Sequence, residues 1–250
     1  METRYSRNRI YLTESEQEKI KRVPVLIGGA GIGSVIAECI LRFGFENITI
    51  VDGDTVELTN LNRQNYTESD IGFSKTEAIK KKLLSINSKA NIKTYNCFID
   101  KNNIEEIIEG HEITINALDF TTDIPLLFDQ LCREREIPIL HPYNLGWGAL
   151  VAVINSDSLL LDSISRNKEK FNEVHVVEYA SSYMKFWGKP QNWLDEIIES
   201  YKNEQEVLPP PQLSIASWLV ASMCTNLIYK IVTNKKIKTF PEFYMSSIDN

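Results

Sequence analysis

A glycine-rich turn between an apolar strand and a helix constrains the fold of this chain more than any other feature. Residues 25–28 form a continuously apolar run of strand length, and residues 32–43 have the spacing of a buried helix. The turn that joins them reads Gly28-Gly29-Ala30-Gly31-Ile32-Gly33-Ser34. In such a turn the amides at the helix start can face an anion, and small residues let the anion approach. We therefore take Gly28, Gly31 and Gly33 as candidate nucleotide-binding residues.

Strand and helix patterns alternate through the first half of the chain. Further strands are predicted over residues 48–52, 92–95, 113–118 and 137–141, and helices over 74–86, 104–109 and from Thr121 or Thr122 to 135. After residue 142 the alternation stops, and residues 146–154 and 243–246 predict an antiparallel strand and an edge strand. The pattern predicts an α/β, Rossmann-like nucleotide-binding fold, in which antiparallel strands of the second half extend a parallel sheet.

The chain is expected to form one domain with three parts. These are an N-terminal arm (residues 1–22), a nucleotide-binding half (23–141) and a substrate-side half (142–250). The last part contains a charged and aromatic excursion over residues 155–207 with little periodicity except near 193–201, and substrate specificity often resides in such an excursion. The apolar run 213–232 contains too many polar groups for a membrane span and predicts a buried helix.

Composition narrows the class of protein. Apolar residues make up 43% of the 250 residues, and the net charge of −7 argues against an extended nucleic-acid footprint. The charged N-terminus lacks the apolar core of a signal peptide, and the four cysteines are far apart, without zinc-site spacing. We expect a soluble cytoplasmic protein with no membrane partner.

An acidic residue ends the second predicted strand. Asp52 stands where a carboxylate can hydrogen-bond ribose hydroxyls, and this placement fits NAD and ATP equally well. Asp119 follows the strand at 113–118 and therefore reaches the same edge of the sheet, where it could hold Mg²⁺ against a triphosphate. On these two residues alone, an NAD-dependent dehydrogenase remains open.

Three polar residues downstream of Asp52 favour ATP. Asn60, Arg63 and Lys75 supply more phosphate-binding groups than a dinucleotide needs, whereas an ATP attacked at its α-phosphate needs cations that stabilise the departing pyrophosphate. The run Ser74-Lys75-Thr76-Glu77 has the pattern of a capping box, which would place Lys75 at the first position of a helix.

These motifs resemble the ThiF/MoeB family, the bacterial relatives of ubiquitin-activating enzymes. The matching segments are Arg4-Tyr5-Ser6-Arg7, the glycine turn, the run from Asp52 through Asn60-Leu61-Asn62-Arg63-Gln64, Gly72-Phe73-Ser74-Lys75, and Asp119. The resemblance implies that Mg·ATP adenylates a protein or peptide C-terminal carboxylate and releases pyrophosphate. It assigns Asp52 to the ribose, Asn60, Arg63 and Lys75 to the phosphates and metal, and Asp119 to Mg²⁺, with Gln64 in the same nucleotide site. It also implies that Arg7 reaches the ATP of a partner subunit in a homodimer.

The chain departs from the family pattern at four points. It lacks the two CxxC pairs of zinc-bearing relatives, so no zinc is expected, and it has no cysteine between Cys132 and Cys224, where thioester-forming relatives carry one. Phe120 stands where an asparagine commonly follows the metal-binding aspartate, and Ala30 interrupts the glycine pattern.

Several alternatives remain at this point. The substrate implied by the resemblance is a ubiquitin-like, β-grasp protein or a short precursor peptide, and a relative that adenylates a tRNA base is a minor alternative. An NAD-dependent oxidoreductase and a non-catalytic nucleotide-binding module of the same fold are the hypotheses from other classes. Asn60, Arg63 and Lys75 argue against the first, and the presence of every charged position, including Arg7, argues against the second.

Overall fold

The computed structural model describes residues 4–165, 171–206 and 208–248. In this part of the chain seven strands form one sheet, in the order β3-β2-β1-β4-β5-β6-β7. The strands are β1 (Pro24–Gly28), β2 (Asn47–Val51), β3 (Asn91–Tyr95), β4 (Ile113–Asn116), β5 (Ile139–Asn144), β6 (Gly148–Ile154) and β7 (Phe243–Ser247). Strands β1 to β5 are parallel, and β6 and β7 pair antiparallel to their neighbours. The predicted fold class is confirmed.

Helices cover both faces of the sheet. They are α1 (Glu14–Arg22), α2 (Ile32–Phe43), α3 (Lys75–Ile86), α4 (Ile104–Ile108), α5 (Ile124–Glu134), α6 (Glu173–Phe186), α7 (Asn192–Lys202) and α8 (Ser214–Val232). Alternation along β1 separates two cores, since Val25 and Ile27 pack with α2, α3 and α8 while Leu26 packs with α4, α5 and α6.

Helix α8 is a core helix of this fold. By length and composition alone it could cross a membrane, but 56% of its apolar segment is buried inside the protein, where it packs against α2 and β6. Strand β6 is buried along its whole length, because α8 covers one face and the second core covers the other. The buried helix predicted for this run is therefore present.

Two local details differ from the expectations. Helix α5 begins at Ile124 rather than after Thr121 or Thr122, because Pro125 with its fixed φ occupies the first turn. At the start of α3 only one of the two hydrogen bonds of the expected capping box is recorded. The Ser74 hydroxyl accepts a hydrogen bond from the Glu77 amide at 3.2 Å.

The arm and the excursion contain helices that were not predicted. The arm includes α1, which begins with a full capping box between Thr13 and Glu16. The excursion contains α6 and α7, and only α7 had a visible amphipathic pattern. Residues 166–170 and 207 of the excursion lie outside the described residues.

Candidate nucleotide and substrate site

Asp52 connects the glycine turn to the loop that follows β2. Its Oδ2 accepts a hydrogen bond from the Ala30 amide at 2.6 Å, and its Oδ1 accepts one from the Asp54 amide at 2.7 Å. Each carboxylate oxygen keeps a further lone pair, so a ribose hydroxyl can still bind. Ala30, which interrupts the glycine pattern, is fully buried and contributes through its amide. The alanine is therefore compatible with the site.

Two glycines of the turn, Gly29 and Gly33, are needed for close packing. Gly29 has a φ of +92°, and a Cβ there would lie 2.4 Å from the carbonyl oxygen of Ala117 at the end of β4. A Cβ on Gly33 would lie 2.7 Å from Cγ2 of Ile27, so this glycine lets α2 approach β1. Gly31 directly precedes α2, whose first amides are available to an anion. Gly28, in contrast, has ordinary space for a Cβ.

Asn60, Arg63 and Gln64 lie on the loop between β2 and α3. The buried Asn60 accepts the Glu57 amide on its Oδ1 at 3.0 Å and so fixes the 3₁₀ turn that precedes Arg63. Arg63 donates from Nε to Gln212 Oε1 at 2.7 Å and from Nη1 to the Thr59 carbonyl, also at 2.7 Å. Burial lowers the pKa of Arg63, and the charge of Asp119 opposes this change. The guanidinium is thus held firmly near Asp119.

Gln64 packs against the glycine turn. Its Nε2 lies 3.4 Å from the position that a Cβ on Gly31 would occupy, and its Oε1 is buried with no hydrogen-bond partner among the described residues. A buried acceptor without a partner is costly, so Gln64 has capacity for one more donor at the turn.

Lys75 occupies the first position of α3, as the sequence predicts. The side chain is buried, and its Nζ donates to Asp54 Oδ2 at 2.8 Å. The Lys75 amide also donates to the Asp54 carbonyl at 2.9 Å. Because half of the Asp54 side chain is exposed, the ammonium is oriented by Asp54 and can bind a phosphate at the same time.

Asp119 stands among other carboxylates. The pKa of Asp119 is raised by burial of its carboxylate in the protein and then by the charge of Glu173, while Lys75 lowers it and Asp54 and Asp52 raise it further. Glu173 begins α6, and its Oε1 accepts the Phe120 amide at 3.0 Å. Phe120 therefore contributes its backbone here, while its ring packs edge-on against Phe171. The site carries an excess of negative charge that a divalent cation would neutralise.

The donor set fits a magnesium ion that arrives with a nucleotide. Among residues 4–165, 171–206 and 208–248, no three His, Cys, Asp or Glu side chains form a preformed metal cage. Mg²⁺ is usually held by one or two carboxylates together with substrate phosphates, so Asp119 with its acidic neighbours suffices.

The structure does not bring Arg7 to this site within one subunit. Arg7 is exposed on a 3₁₀ turn, Ser6–Asn8, which is fixed at the far end of α2: Asn8 Nδ2 donates to the Phe43 carbonyl at 2.9 Å, and Tyr5 donates to Glu46 at 2.9 Å. The 12 residues of α2 span about 18 Å at the rise of an α-helix. Arg7 and the glycine turn therefore lie at opposite ends of α2.

An apolar pocket of about 150 Å³ opens beside Asp119. Its walls come from the ends of β4 and β5, from α6 and α7, and from the segment before α8, and Ile32 at the start of α2 joins it to the glycine turn. Gln212 both lines the pocket and holds Arg63. The pocket therefore adjoins the phosphate-binding residues.

Sequence reasoning missed Asp54, Glu173 and Gln212. Asp54 lies in the matched loop two residues after Asp52, which was a usable signal. Glu173 and Gln212 lie far along the chain in segments without a motif, and only the fold brings them to the site.

The cysteines are not activated. Cys132 and Cys224 are fully buried, as expected for core residues, and Cys39 and Cys97 are partly exposed. Burial raises the pKa of all four thiols, to about 12 for Cys132. A raised pKa leaves little thiolate at neutral pH, so none is suited to be a nucleophile.

Comparison with known proteins identifies a family that spans nearly the whole chain and relatives that match about half of it. A family model described as the ThiF family matches residues 5–248. The chain is 37% identical over 121 residues to a probable molybdopterin-synthase adenylyltransferase of Porphyra purpurea, covering 47% of this chain and 32% of the relative. It is 33% identical over 152 residues to the sulfur carrier protein ThiS adenylyltransferase of Bacillus subtilis, covering 58% of this chain and 45% of the relative. The matches thus span about a third to a half of these relatives.

The fold also resembles a solved structure. The crystal structure of E. coli MccB with ATP superposes with a TM-score of 0.71, covering 99% of this chain and 71% of that one, at 19% identity. At this identity the likeness concerns the fold alone.

Proposed function

Since the chain belongs to the ThiF family, we propose that it is an ATP-dependent adenylyltransferase that activates a C-terminal carboxylate as an acyl-adenylate. The observation that carries the proposal is the convergence of Arg63 and Lys75 with Asp119 at the edge of the sheet where the glycine turn ends. An NAD site needs no such pair of cations beside a carboxylate. The named relatives are adenylyltransferases, which supports the same reaction.

The reaction needs little beyond positioning and charge. A carboxylate oxygen of the substrate attacks the α-phosphorus, the bond from that phosphorus to the bridging oxygen breaks, and pyrophosphate leaves with the electron pair. No base is needed because the carboxylate is already ionised. Arg63 and Lys75 neutralise charge that develops on the departing pyrophosphate, and Asp52 positions the ribose.

Magnesium is the proposed cofactor. Asp119 would hold the ion against the phosphates, with Asp52, Asp54 and Glu173 adding negative charge around it. The ion would neutralise phosphate charge during the transfer. We propose that no zinc is needed, since the chain lacks the paired cysteines of zinc-bearing relatives.

We also propose that two subunits share each active site. Helix α8 runs from the nucleotide site to the N-terminal arm. Just before its first turn, the Gln212 carbonyl accepts a hydrogen bond from Asn62 of the nucleotide site. Near its last turn, the Tyr229 hydroxyl donates to the Tyr11 carbonyl of the arm. Two α8 helices packed antiparallel about a two-fold axis would bring the arm of one subunit to the nucleotide site of the other. Arg7 would then act on the partner's ATP.

Exposed apolar residues lie in the arm and on α8, where the proposed dimer interface would form. In the arm, Ile10 is 94% exposed and Tyr11 is 81% exposed, and Trp218 on α8 is 49% exposed. Ile10 also has a φ of +78°, which costs energy for a β-branched residue unless surrounding contacts offset it. A second copy of the chain that covers these residues would supply such contacts.

Dimerisation is tested by charge insertion on α8. Trp218→Asp should give a monomer by light scattering, because a carboxylate would be buried in the interface. Phe186→Asp, at an exposed aromatic on α6, is the matched control and should leave the mass unchanged. Equal masses for both variants would refute this interface.

The substrate is proposed to be the C-terminus of a ubiquitin-like protein or of a peptide, in the cytoplasm. The relatives include enzymes named for sulfur carrier, SAMP and SUMO proteins, and MccB was solved with MccA. ATP–pyrophosphate exchange with candidate β-grasp proteins and peptides tests the activity. In a separate turnover assay, in which water or an added amine accepts the acyl group, the nucleotide released should be AMP rather than ADP. Release of ADP would contradict attack at the α-phosphate.

A further inference from the structure

The base of the pocket beside Asp119 is polar, although its walls are apolar. His141 and Tyr143 alternate on one face of β5, both are buried, and both line the pocket. Asp129 Oδ1 on α5 lies 2.8 Å from His141 Nε2 and also accepts from Asn116 Nδ2 at 2.8 Å. This buried network fixes the histidine ring at the end of the pocket.

Two groups that line this base have unused hydrogen-bonding capacity, in addition to the buried Asp129 Oδ2, which also has no partner among the described residues. The Tyr143 hydroxyl is buried and has no hydrogen-bond partner in the described part of the chain. If His141 Nε2 donates its proton to Asp129, its Nδ1 has a free lone pair, and no described residue donates to it. A buried hydroxyl without a partner costs free energy in the unliganded protein, so its presence needs an explanation.

The size and position of the pocket suit a substrate side chain. A cavity of about 150 Å³ can hold a molecule as large as benzene when its walls are apolar. Here Leu194, Ile197 and Ile198 of α7 form part of the wall opposite β5. The pocket begins at Asp119 and Gln212, next to the residues that would hold the α-phosphate. The residue that carries the reacting carboxylate would therefore lie at its mouth.

We propose that this pocket receives the side chain of the substrate's C-terminal residue and that Tyr143 and His141 bind an uncharged polar group at its tip. The proposal rests on the adenylation function proposed above and narrows its substrate class. A ubiquitin-like tail that ends in Gly-Gly has no side chain and would leave the pocket empty. A peptide whose last residue has an apolar stem and a polar tip would fill it. Asp119 and Glu173, which line the pocket, and Asp129, which contacts His141, disfavour a negatively charged tip.

Non-hydrolysable acyl-adenylate analogues separate the pocket from the nucleotide site. The probes are 5′-O-(N-acylsulfamoyl)adenosines that carry N-acetylglycyl, N-acetylmethionyl or N-acetylglutaminyl groups, with binding measured by calorimetry. Glutamine and methionine have similar lengths but differ at the tip. The methionyl probe should bind more tightly than the glycyl probe. The glutaminyl probe should gain a further factor of about ten, the worth of one well-formed hydrogen bond.

Two variants test the residues. Tyr143→Phe should remove the preference for glutaminyl over methionyl and leave glycyl binding unchanged. Its unfolding temperature without ligand should not fall, because the lost hydroxyl has no partner there. Val177→Phe, which fills the pocket from α6, should abolish the advantage of both side-chain probes but not glycyl binding. Ser182→Phe, exposed on the same helix, is its control.

The outcomes are distinguishable. If no probe binds wild-type protein, the adenylation function itself fails. If the three probes bind equally, or the glycyl probe binds best, the adenylation function stands and the side-chain pocket is refuted. If Tyr143→Phe lowers the unfolding temperature and leaves probe selectivity unchanged, the hydroxyl has a structural role and the proposed recognition is wrong.

Discussion

The nucleotide-binding part of the site (the nucleotide side) and the apolar pocket with its polar base (the pocket side) meet at Asp119. They differ in how their polar groups are held in place. On the nucleotide side, charged groups are oriented by bonds that solvent or a phosphate can replace, as with Lys75 on the half-exposed Asp54. On the pocket side, the polar groups are buried, and His141, Asp129 and Tyr143 depend on one another or on a ligand. The comparison indicates that changes on the nucleotide side should affect catalysis more than folding. Changes on the pocket side should affect which substrate is accepted.

The largest effect should come from Lys75→Met on the nucleotide side. Loss of an electrostatic donor at the transferring phosphate should lower ATP–pyrophosphate exchange by about 10²–10³-fold. The unfolding temperature should change little, since Asp54 can return to water. Lys81→Met, exposed on the same helix, provides the control. An exchange rate within twofold of wild type would show that Lys75 does not contact the phosphates.

Mixing of inactive subunits tests whether Arg7 of one subunit acts at the nucleotide site of the other. Arg7→Ala and Asp119→Ala should each be nearly inactive in exchange, because each removes a charge from every site. Mixing them under subunit exchange should restore about a quarter of wild-type activity, since half the dimers are mixed and each of those has one intact site. If mixed dimers form and remain inactive, Arg7 does not act on the partner subunit.

A smaller effect is expected on stability at Asp119. Its folded-state pKa is raised, so the stability that this carboxyl contributes is present below its unfolded pKa and is lost as pH rises through the folded value. Asp119→Asn, which never ionises, should therefore raise the unfolding temperature of the nucleotide-free protein at pH 7, by about 1–2 °C. The gain should vanish near pH 4, about the ordinary pKa of aspartate.

Asp157→Asn, on an exposed loop away from the site, controls for a general charge effect. The claim that the ionised Asp119 carboxylate destabilises the nucleotide-free protein would be contradicted if Asp119→Asn lowered the unfolding temperature at pH 7. Such a result would mean that favourable contacts of the Asp119 carboxylate outweigh the cost of its burial and its repulsion by Glu173 and the other acidic groups.

The sequence predicts the nucleotide side well because its signals are local. The glycine turn, the strand end at Asp52 and the first residue of α3 at Lys75 each depend on a few neighbouring residues, and a parallel sheet brings its strand ends to one edge. Helix α1 also has a local signal, the capping box between Thr13 and Glu16.

The pocket side could not be predicted in the same way. Its walls come from α6 and α7, and α6 has β-branched and aromatic residues without clear helical periodicity. Glu173 reaches Asp119 only because α6 folds back over the end of β4, where the Phe120 amide binds it. Likewise Gln212 meets Arg63 across 149 positions of sequence. Tyr143 lies beyond the predicted end of β5, and its missing partner is visible only in three dimensions.

The most direct test of the central claim, that the charged edge of the sheet binds ATP for adenylyl transfer, is calorimetric titration with two nucleotides. The ligands are the magnesium complex of the α,β-methylene analogue of ATP, which cannot be cleaved at that position, and NAD⁺. We expect the ATP analogue to bind once per subunit and NAD⁺ to give no measurable heat, because Arg63 and Lys75 match a triphosphate. Tighter binding of NAD⁺ than of the ATP analogue would contradict the claim.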